Sequence, residues 1–120
     1  MPFVRASFSC GLSREQEREL KKGFGEAIAA IPGKNEGNLL LLLEPDVSIF
    51  LAGDDTLPAA YVDAAVFGNE SHEGFDRFSQ EIASLLLRVT GIRPDRLYIR
   101  FSDIQAFSQG PQFFDRRWFS

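Results

Sequence analysis

The fold is decided by residues 13–33, which read SREQERELKKGFGEAIAAIPG. Ser13 can cap a helix through its hydroxyl, and Gln16 stands three residues later, where a capping box places an amide side chain. Apolar residues then follow at helical spacing, and a Pro-Gly pair ends the segment. The segment therefore predicts an amphipathic helix with one buried face. That face consists of Leu20, Phe24, Ala27, Ile28 and Ile31.

The same pattern recurs 58 positions later in residues 71–91, which read SHEGFDRFSQEIASLLLRVTG. Ser71 takes the place of the cap, and Gly91 takes the place of the terminal glycine. Because the match continues without a gap into the flanking segments, we interpret the chain as a duplicated βαβ unit. The apolar face of the second predicted helix consists of Phe78, Ile82, Leu85, Leu86 and Val89.

Strands are predicted on both sides of each helix. Residues 1–8 favour a first strand, and the nearly continuous apolar run at 38–43 favours a strand covered on both faces. A loop at 44–58 flanks a further short strand at 47–51. We expect a single domain over residues 1–120, with repeats at roughly 2–50 and 60–108 and a tail at 109–120. The predicted fold class is α+β, with one four-stranded mixed sheet and both helices on one of its faces.

The far face of such a sheet has no cover within the chain. Residues 39–43 are nevertheless apolar on both sides, so something must bury the far face of this strand. Other copies of the same chain are the simplest way to do so, and we predict a closed homo-oligomer. The tail is rich in phenylalanine and arginine. It could dock on a neighbour, cover a pocket or end in a frayed segment.

Composition excludes several classes of function. The net charge of −4 and the pI near 5.0 argue against a general nucleic-acid or anionic membrane surface, so neither partner is expected. The single cysteine, Cys10, excludes an internal disulfide framework, and the single histidine, His72, disfavours a catalytic triad or a multi-histidine metal site. We expect no metal and no cofactor. With no signal peptide apparent, the expected location is the cytoplasm.

Pro2 is the informative residue for chemistry. Removal of the initiator methionine would leave a secondary amine at the start of a strand. A terminal amine titrates at roughly 7.7–8.0, and an apolar pocket or a nearby cation lowers that pKa further. Such an amine can serve as a general base at neutral pH.

Several segments resemble one known family. The chain looks like the tautomerase superfamily, and within it like the branch of macrophage migration inhibitory factor and D-dopachrome tautomerase. The resemblance covers roughly residues 2–110, and residues 94–99 are its most specific part. The matching motifs are the Met1-Pro2 start, Gly33-Lys34, Glu44-Pro45-Asp46 and Pro94-Asp95-Arg96-Leu97-Tyr98-Ile99.

The resemblance implies a homotrimer and assigns roles to four positions. Pro2 matches the catalytic base, and Lys34 matches the lysine that pairs with a substrate carboxylate. Val66 matches the position that supplies a backbone amide, and Tyr98 matches a pocket tyrosine from the adjacent subunit. Arg100 departs from the family, whose animal members have asparagine there. It is a further candidate for substrate binding, or it could pair across the subunit interface.

The implied activity is a cofactor-independent keto–enol tautomerisation of aryl 2-oxo acids such as phenylpyruvate. Two alternatives stay open at this point. One is a related hydratase, dehalogenase or decarboxylase acting on an unsaturated acid, for which Arg5 and Arg100 would be distinguishing features. The other is a non-enzymatic, cytokine-like binding protein, because members of the family can leave cells without a signal peptide.

Overall fold

A computed structural model describes residues 1–119, in which six strands and two α-helices form. The helices are α1 (Arg14–Ala27) and α2 (Phe75–Thr90). The strands are β1 (Pro2–Phe8), β2 (Leu40–Glu44), β3 (Ala60–Phe67), β4 (Leu97–Ile104), β5 (Ala106–Gln109) and β6 (Gln112–Asp115).

Four strands form one mixed sheet in the order β2-β1-β3-β4. β1 pairs with β2 in parallel, and β3 pairs with β4 in parallel, so each pair is joined by one crossover helix. The two units meet where β1 runs antiparallel to β3. This topology confirms the predicted α+β fold built from two βαβ units.

The core lies between the helices and one face of the sheet. Alternate residues of β1 and β3 point into it, including Val4, Ala6, Val62 and Ala64, all at most 1% exposed. Both helices contribute to the same cluster, so they lie on one face as predicted. Complete burial of one large aliphatic or aromatic side chain contributes about 1.5–3 kcal/mol. The helix residues of this cluster are Leu20, Phe24, Ala27, Ile28, Phe75, Phe78, Ile82, Leu85 and Leu86.

The first helix begins as its sequence predicts. The Ser13 hydroxyl accepts from the Gln16 N–H at 3.0 Å, and the Gln16 side chain accepts from the Ser13 N–H at 2.9 Å. The α-helix ends at Ala27, earlier than the Pro-Gly pair, and continues as a 3₁₀ turn over Ile28–Ala30. Gly33 then adopts a φ of 76°, which reverses the chain after that turn.

The start predicted for the second helix, after Ser71, is wrong. The helix begins after Gly74, not after Ser71, whose hydroxyl instead accepts from the Glu73 N–H at 3.3 Å within the preceding turn. Gly74 has a φ of 85°, and a side chain there would collide with the Ala30 carbonyl. Close approach of the two helix ends therefore decides this boundary, and spacing in the sequence could not reveal it.

Two strand predictions also change. The strand expected at 38–43 is β2, shifted to Leu40–Glu44, because Asn38 closes a capped 3₁₀ turn over Glu36–Asn38. The prediction of a short strand at 47–51 is wrong. This segment has one isolated bridge, between Leu51 and Asp54. Its Val47 N–H donates to the Phe8 carbonyl at 2.9 Å, at the end of β1, but the described residues form no ladder there.

The opposite face of the sheet is uncovered in the single chain. Leu40 is 52% exposed, Leu42 is 51% exposed and Tyr98 is 66% exposed. We call this surface the uncovered face. Exposed leucines on this edge strand, β2, are what the predicted homo-oligomer would bury.

The tail forms defined structure over the residues described. β5 and β6 pair as an antiparallel hairpin that is separate from the main sheet, and a 3₁₀ turn over Arg116–Phe119 follows. Phe107 of the hairpin stacks on Phe114 with ring centroids 5.0 Å apart. No helix in residues 1–119 combines the length and the apolar character needed to cross a membrane.

Candidate active site

The amino terminus is held at one end of the sheet. Pro2 is buried at the start of β1, directly opposite Val66 on β3. Met1 extends the strand by one residue, since its carbonyl accepts from the Phe67 N–H at 3.1 Å. The terminal nitrogen is therefore fixed at this end of the sheet.

The amine at this end has strongly altered acidity. Burial is the main cause, followed by the charge of Lys34 and a hydrogen bond with its side chain, and together they lower the pKa of the Met1 amine from 8.0 to about 5. Each cause disfavours the protonated form. A terminal amine at this position is consequently unprotonated at neutral pH.

Lys34 reaches the same end of the sheet from the turn after α1. The turn is closed by the Lys34 N–H, which donates to the Ile31 carbonyl at 3.1 Å, after Gly33 has reversed the chain. The Lys34 Nζ donates to the Phe67 carbonyl at 2.7 Å. The structure thus brings together three of the residues singled out from the sequence, Pro2, Lys34 and Val66.

A neighbouring amide was missed in the sequence. The Val66 side chain is fully buried in the core, whereas it is the Phe67 N–H that meets the terminal residue. In an antiparallel pair, hydrogen-bonded and non-hydrogen-bonded positions alternate, so the amide beside the terminus is set by register. The strand pattern of β3 alone carries no signal for this choice.

Tyr98 and Arg100 lie elsewhere in the same chain. Tyr98 is opposite Tyr61, five residues along β3 from the partner of Pro2, which is roughly 16 Å at about 3.3 Å per residue. Arg100 lies between these positions on the uncovered face, with its Nε 3.7 Å from Asp63 Oδ1. The single chain does not bring either side chain to the amino terminus.

A pocket of about 320 Å³ opens beside the terminal residue. Its apolar lining comes from Met1, Phe3, Leu39, Leu40 and Phe107. Its other lining residues are Gly37, Asn38, Ser108 and Gln109, so Met1, whose amine contacts Lys34, connects the pocket to that cation. A pocket of this size suits a small molecule with an apolar body. A larger groove of about 460 Å³ lies between the two helices, away from these groups.

The fold and the first strand that begins at Pro2 are those expected of the MIF-like branch of the tautomerase superfamily. A family model described as macrophage migration inhibitory factor (MIF) matches residues 1–112. The chain belongs to that family. No curated protein matches the sequence significantly.

Solved structures agree with this fold. The chain is similar to Leishmania major MIF2, with 23% identity, a TM-score of 0.86, and coverage of 95% of this chain and 97% of that one. It is similar to macrophage migration inhibitory factor of Toxoplasma gondii, with 17% identity, a TM-score of 0.85, and coverage of 93% and 99%. A structure of Pt0534 inactivated by 2-oxo-3-pentynoate has 16% identity, a TM-score of 0.81, and coverage of 98% and 99%.

Proposed function

We propose that the chain, after loss of Met1, is a cofactor-independent keto–enol tautomerase of aryl 2-oxo acids such as phenylpyruvate, with Pro2 as the general base. The observation that carries the proposal is the environment of the terminal amine, where burial and Lys34 lower the pKa of the Met1 amine to about 5. Loss of Met1 moves the free amine to Pro2, which starts β1 at the same end of the sheet, so burial and Lys34 would act on it in the same direction. It is then a neutral base at cellular pH.

The proposed reaction needs only one proton to move. Neutral Pro2 nitrogen takes a proton from the carbon next to the substrate carbonyl, and the charge delocalises onto the carbonyl oxygen. The same proton then passes from Pro2 to that oxygen, which completes the enol. No electrons leave the substrate and no cofactor takes part.

Lys34 and a backbone amide would hold the substrate carboxylate. The Lys34 Nζ lies at the correct end of the sheet, as its 2.7 Å bond to the Phe67 carbonyl indicates. The resemblance implies Val66 for this amide, but the contact of the Phe67 N–H with Met1 favours Phe67. Loss of Met1 lets that N–H exchange the Met1 carbonyl for a carboxylate oxygen.

The remaining groups would come from a second copy. We propose a homotrimer in which Tyr98 and Arg100 of one subunit complete the pocket of its neighbour. The 66% exposed Tyr98 and the uncovered face support this arrangement, because both need burial that the single chain lacks. Arg100 is 3.7 Å from Asp63, so its guanidinium is already partly compensated, and substrate binding by Arg100 would have to compete with that pair.

A related fold supports the substrate class. The structure of Pt0534 is of a protein inactivated by 2-oxo-3-pentynoate, which is itself a 2-oxo acid. We propose that this chain binds 2-oxo acids at the corresponding end of the sheet. We also propose a cytoplasmic location, which rests on the sequence argument.

The test compares two forms of the protein. One form has lost Met1, as verified by intact mass, and the other carries a short Gly-Ser extension that converts the Pro2 nitrogen to an amide. Phenylpyruvate enol is followed by its ultraviolet absorbance. We expect turnover by the processed form only. Equal turnover by both forms would contradict a role for Pro2 as base.

A further inference from the structure

We infer that Phe107 is a specificity-determining residue, the wall against which the aryl ring of the substrate packs. This inference rests on the proposed function and deepens it. The hairpin carries two further phenylalanines, Phe113 and Phe114, which are the alternatives for this wall.

The position of Phe107 supports this role. Its ring meets Phe67 edge-on with centroids 5.0 Å apart, and it meets Phe3 edge-on at 5.8 Å. Phe67 is the residue whose backbone contacts both Met1 and Lys34. Phe107 therefore reaches from the hairpin to the end of the sheet where the carboxylate is proposed to bind.

The two other candidates lie outside the pocket. Phe114 stacks on Phe107 with an angle of 20° between their planes, and so it supports Phe107. Phe113 is 48% exposed, and its ring meets Trp118 at 5.6 Å. Of the three phenylalanines on the hairpin, only Phe107 lines the 320 Å³ pocket.

The positions of Lys34, Met1 and the pocket also indicate how a substrate would be oriented. Met1 lies between Lys34 and the pocket, since its amine contacts Lys34 while the residue lines the pocket. A 2-oxo acid that replaces Met1 with its carboxylate at Lys34 would direct its side chain toward Phe107. An aryl side chain gains an edge-to-face or offset contact there, which a short alkyl side chain cannot make.

The ring of Phe107 can be removed without disturbing the main sheet. β5 and β6 form a separate two-stranded sheet, so truncation of Phe107 removes the wall without breaking the main sheet ladder. Phe113→Ala is a matched control, because it removes a ring of the same size from the same hairpin. Phe107→Leu serves as a second variant that keeps apolar volume and removes only the ring.

The test is the ratio of kcat/KM for phenylpyruvate to kcat/KM for 2-oxobutanoate, measured on processed protein with its thermal melt recorded. We expect Phe107→Ala to lower this ratio about tenfold, Phe107→Leu to lower it by a smaller factor, and Phe113→Ala to leave it unchanged. An unchanged ratio in folded Phe107→Leu, or an equal fall in Phe113→Ala, would overturn the inference.

The experiment distinguishes failure of the proposed function from failure of the role given to Phe107. Wild-type protein that turns over neither substrate contradicts the tautomerase, and calorimetric affinities then decide the role of Phe107. If Phe107→Leu weakens phenylpyruvate binding and spares 2-oxobutanoate, the inference stands. If it changes both affinities equally, or if the wild type binds neither acid, the inference falls.

Discussion

Lys34 Nζ donates a 2.7 Å hydrogen bond to the carbonyl of Phe67, which joins the turn after α1 to the last residue of β3. The two residues are 33 positions apart in sequence. The contact sets a cation beside the amino terminus, and its charge contributes to the low pKa of the Met1 amine. Lys34 is also the residue proposed to bind the substrate carboxylate, so the same contact would couple substrate binding to the basicity of the terminal amine.

Pro2→Gly should lower kcat about 100-fold, because a flexible primary amine replaces a rigid, enclosed secondary amine as the base. The initiator methionine is still removed from this variant, because removal requires a small second residue and glycine is small. Turnover of phenylpyruvate enol and the far-ultraviolet circular dichroism spectrum are the measurements. Wild-type turnover with intact mass lacking Met1 would exclude Pro2 from catalysis.

The pH profile of kcat/KM should report the terminal amine. Only the neutral amine accepts a proton, so activity is lost as the pH falls through its pKa and is constant above it. Because the same surroundings lower the pKa of the Met1 amine to about 5, we expect the acid limb to lie below about pH 7 in the processed enzyme. A limb near pH 8, typical of an exposed terminus, would contradict a buried Pro2 amine.

Lys34→Ala should raise KM for phenylpyruvate about tenfold or more, with a smaller effect on kcat, because it removes the cation that is proposed to pair with the carboxylate. It should also move the acid limb of the pH profile to higher pH, since Lys34 lowers the pKa of the amine. Lys21→Ala is a control that removes an exposed lysine paired with Glu36. Equal KM values for the two variants would argue against carboxylate binding by Lys34.

Activity should be recoverable by mixing two inactive variants. If Tyr98 acts in the pocket of a neighbouring subunit, refolding Pro2→Gly together with Tyr98→Ala gives some sites with both native groups. Random assembly of equal amounts predicts about a quarter of wild-type sites. Light scattering measures the oligomer, and the mixed assay measures recovery. A mixture no more active than the average of its components would contradict a shared site.

Arg96→Met should destabilise the fold by about 3 kcal/mol. The Arg96 side chain is 8% exposed, and its guanidinium donates to the Asp54 carbonyl at 3.0 Å and to the Leu57 carbonyl at 2.9 Å. Arg93→Met is the control, since Arg93 pairs with Asp95 on the surface, where ion pairs contribute about 0–1 kcal/mol. Urea denaturation compares them, and equal losses would contradict a structural role for Arg96.

Local pattern predicted the fold well where the cause was local. The Ser13 cap and the buried faces of both helices depend on neighbours within four residues along the chain, so their spacing contained the answer. The second cap failed at Ser71 because the start of α2 depends on the close approach of Gly74 to Ala30. The same limit applies to the strand expected at 47–51, because a ladder depends on a partner strand, and the segment shows one isolated bridge instead.

The features of the candidate site also fall into those predicted from the sequence and those that depend on tertiary structure. Sequence alone determined that a proline can begin the mature chain, that a lysine follows the first helix, and that two similar units build the sheet. Only the tertiary structure decided that Phe67 presents the amide at the terminus, that Phe107 walls the pocket, and that Tyr98 lies roughly 16 Å along the sheet from Pro2. The reason is physical: strand register and long-range packing set distances between atoms, whereas sequence spacing sets only which face each residue occupies.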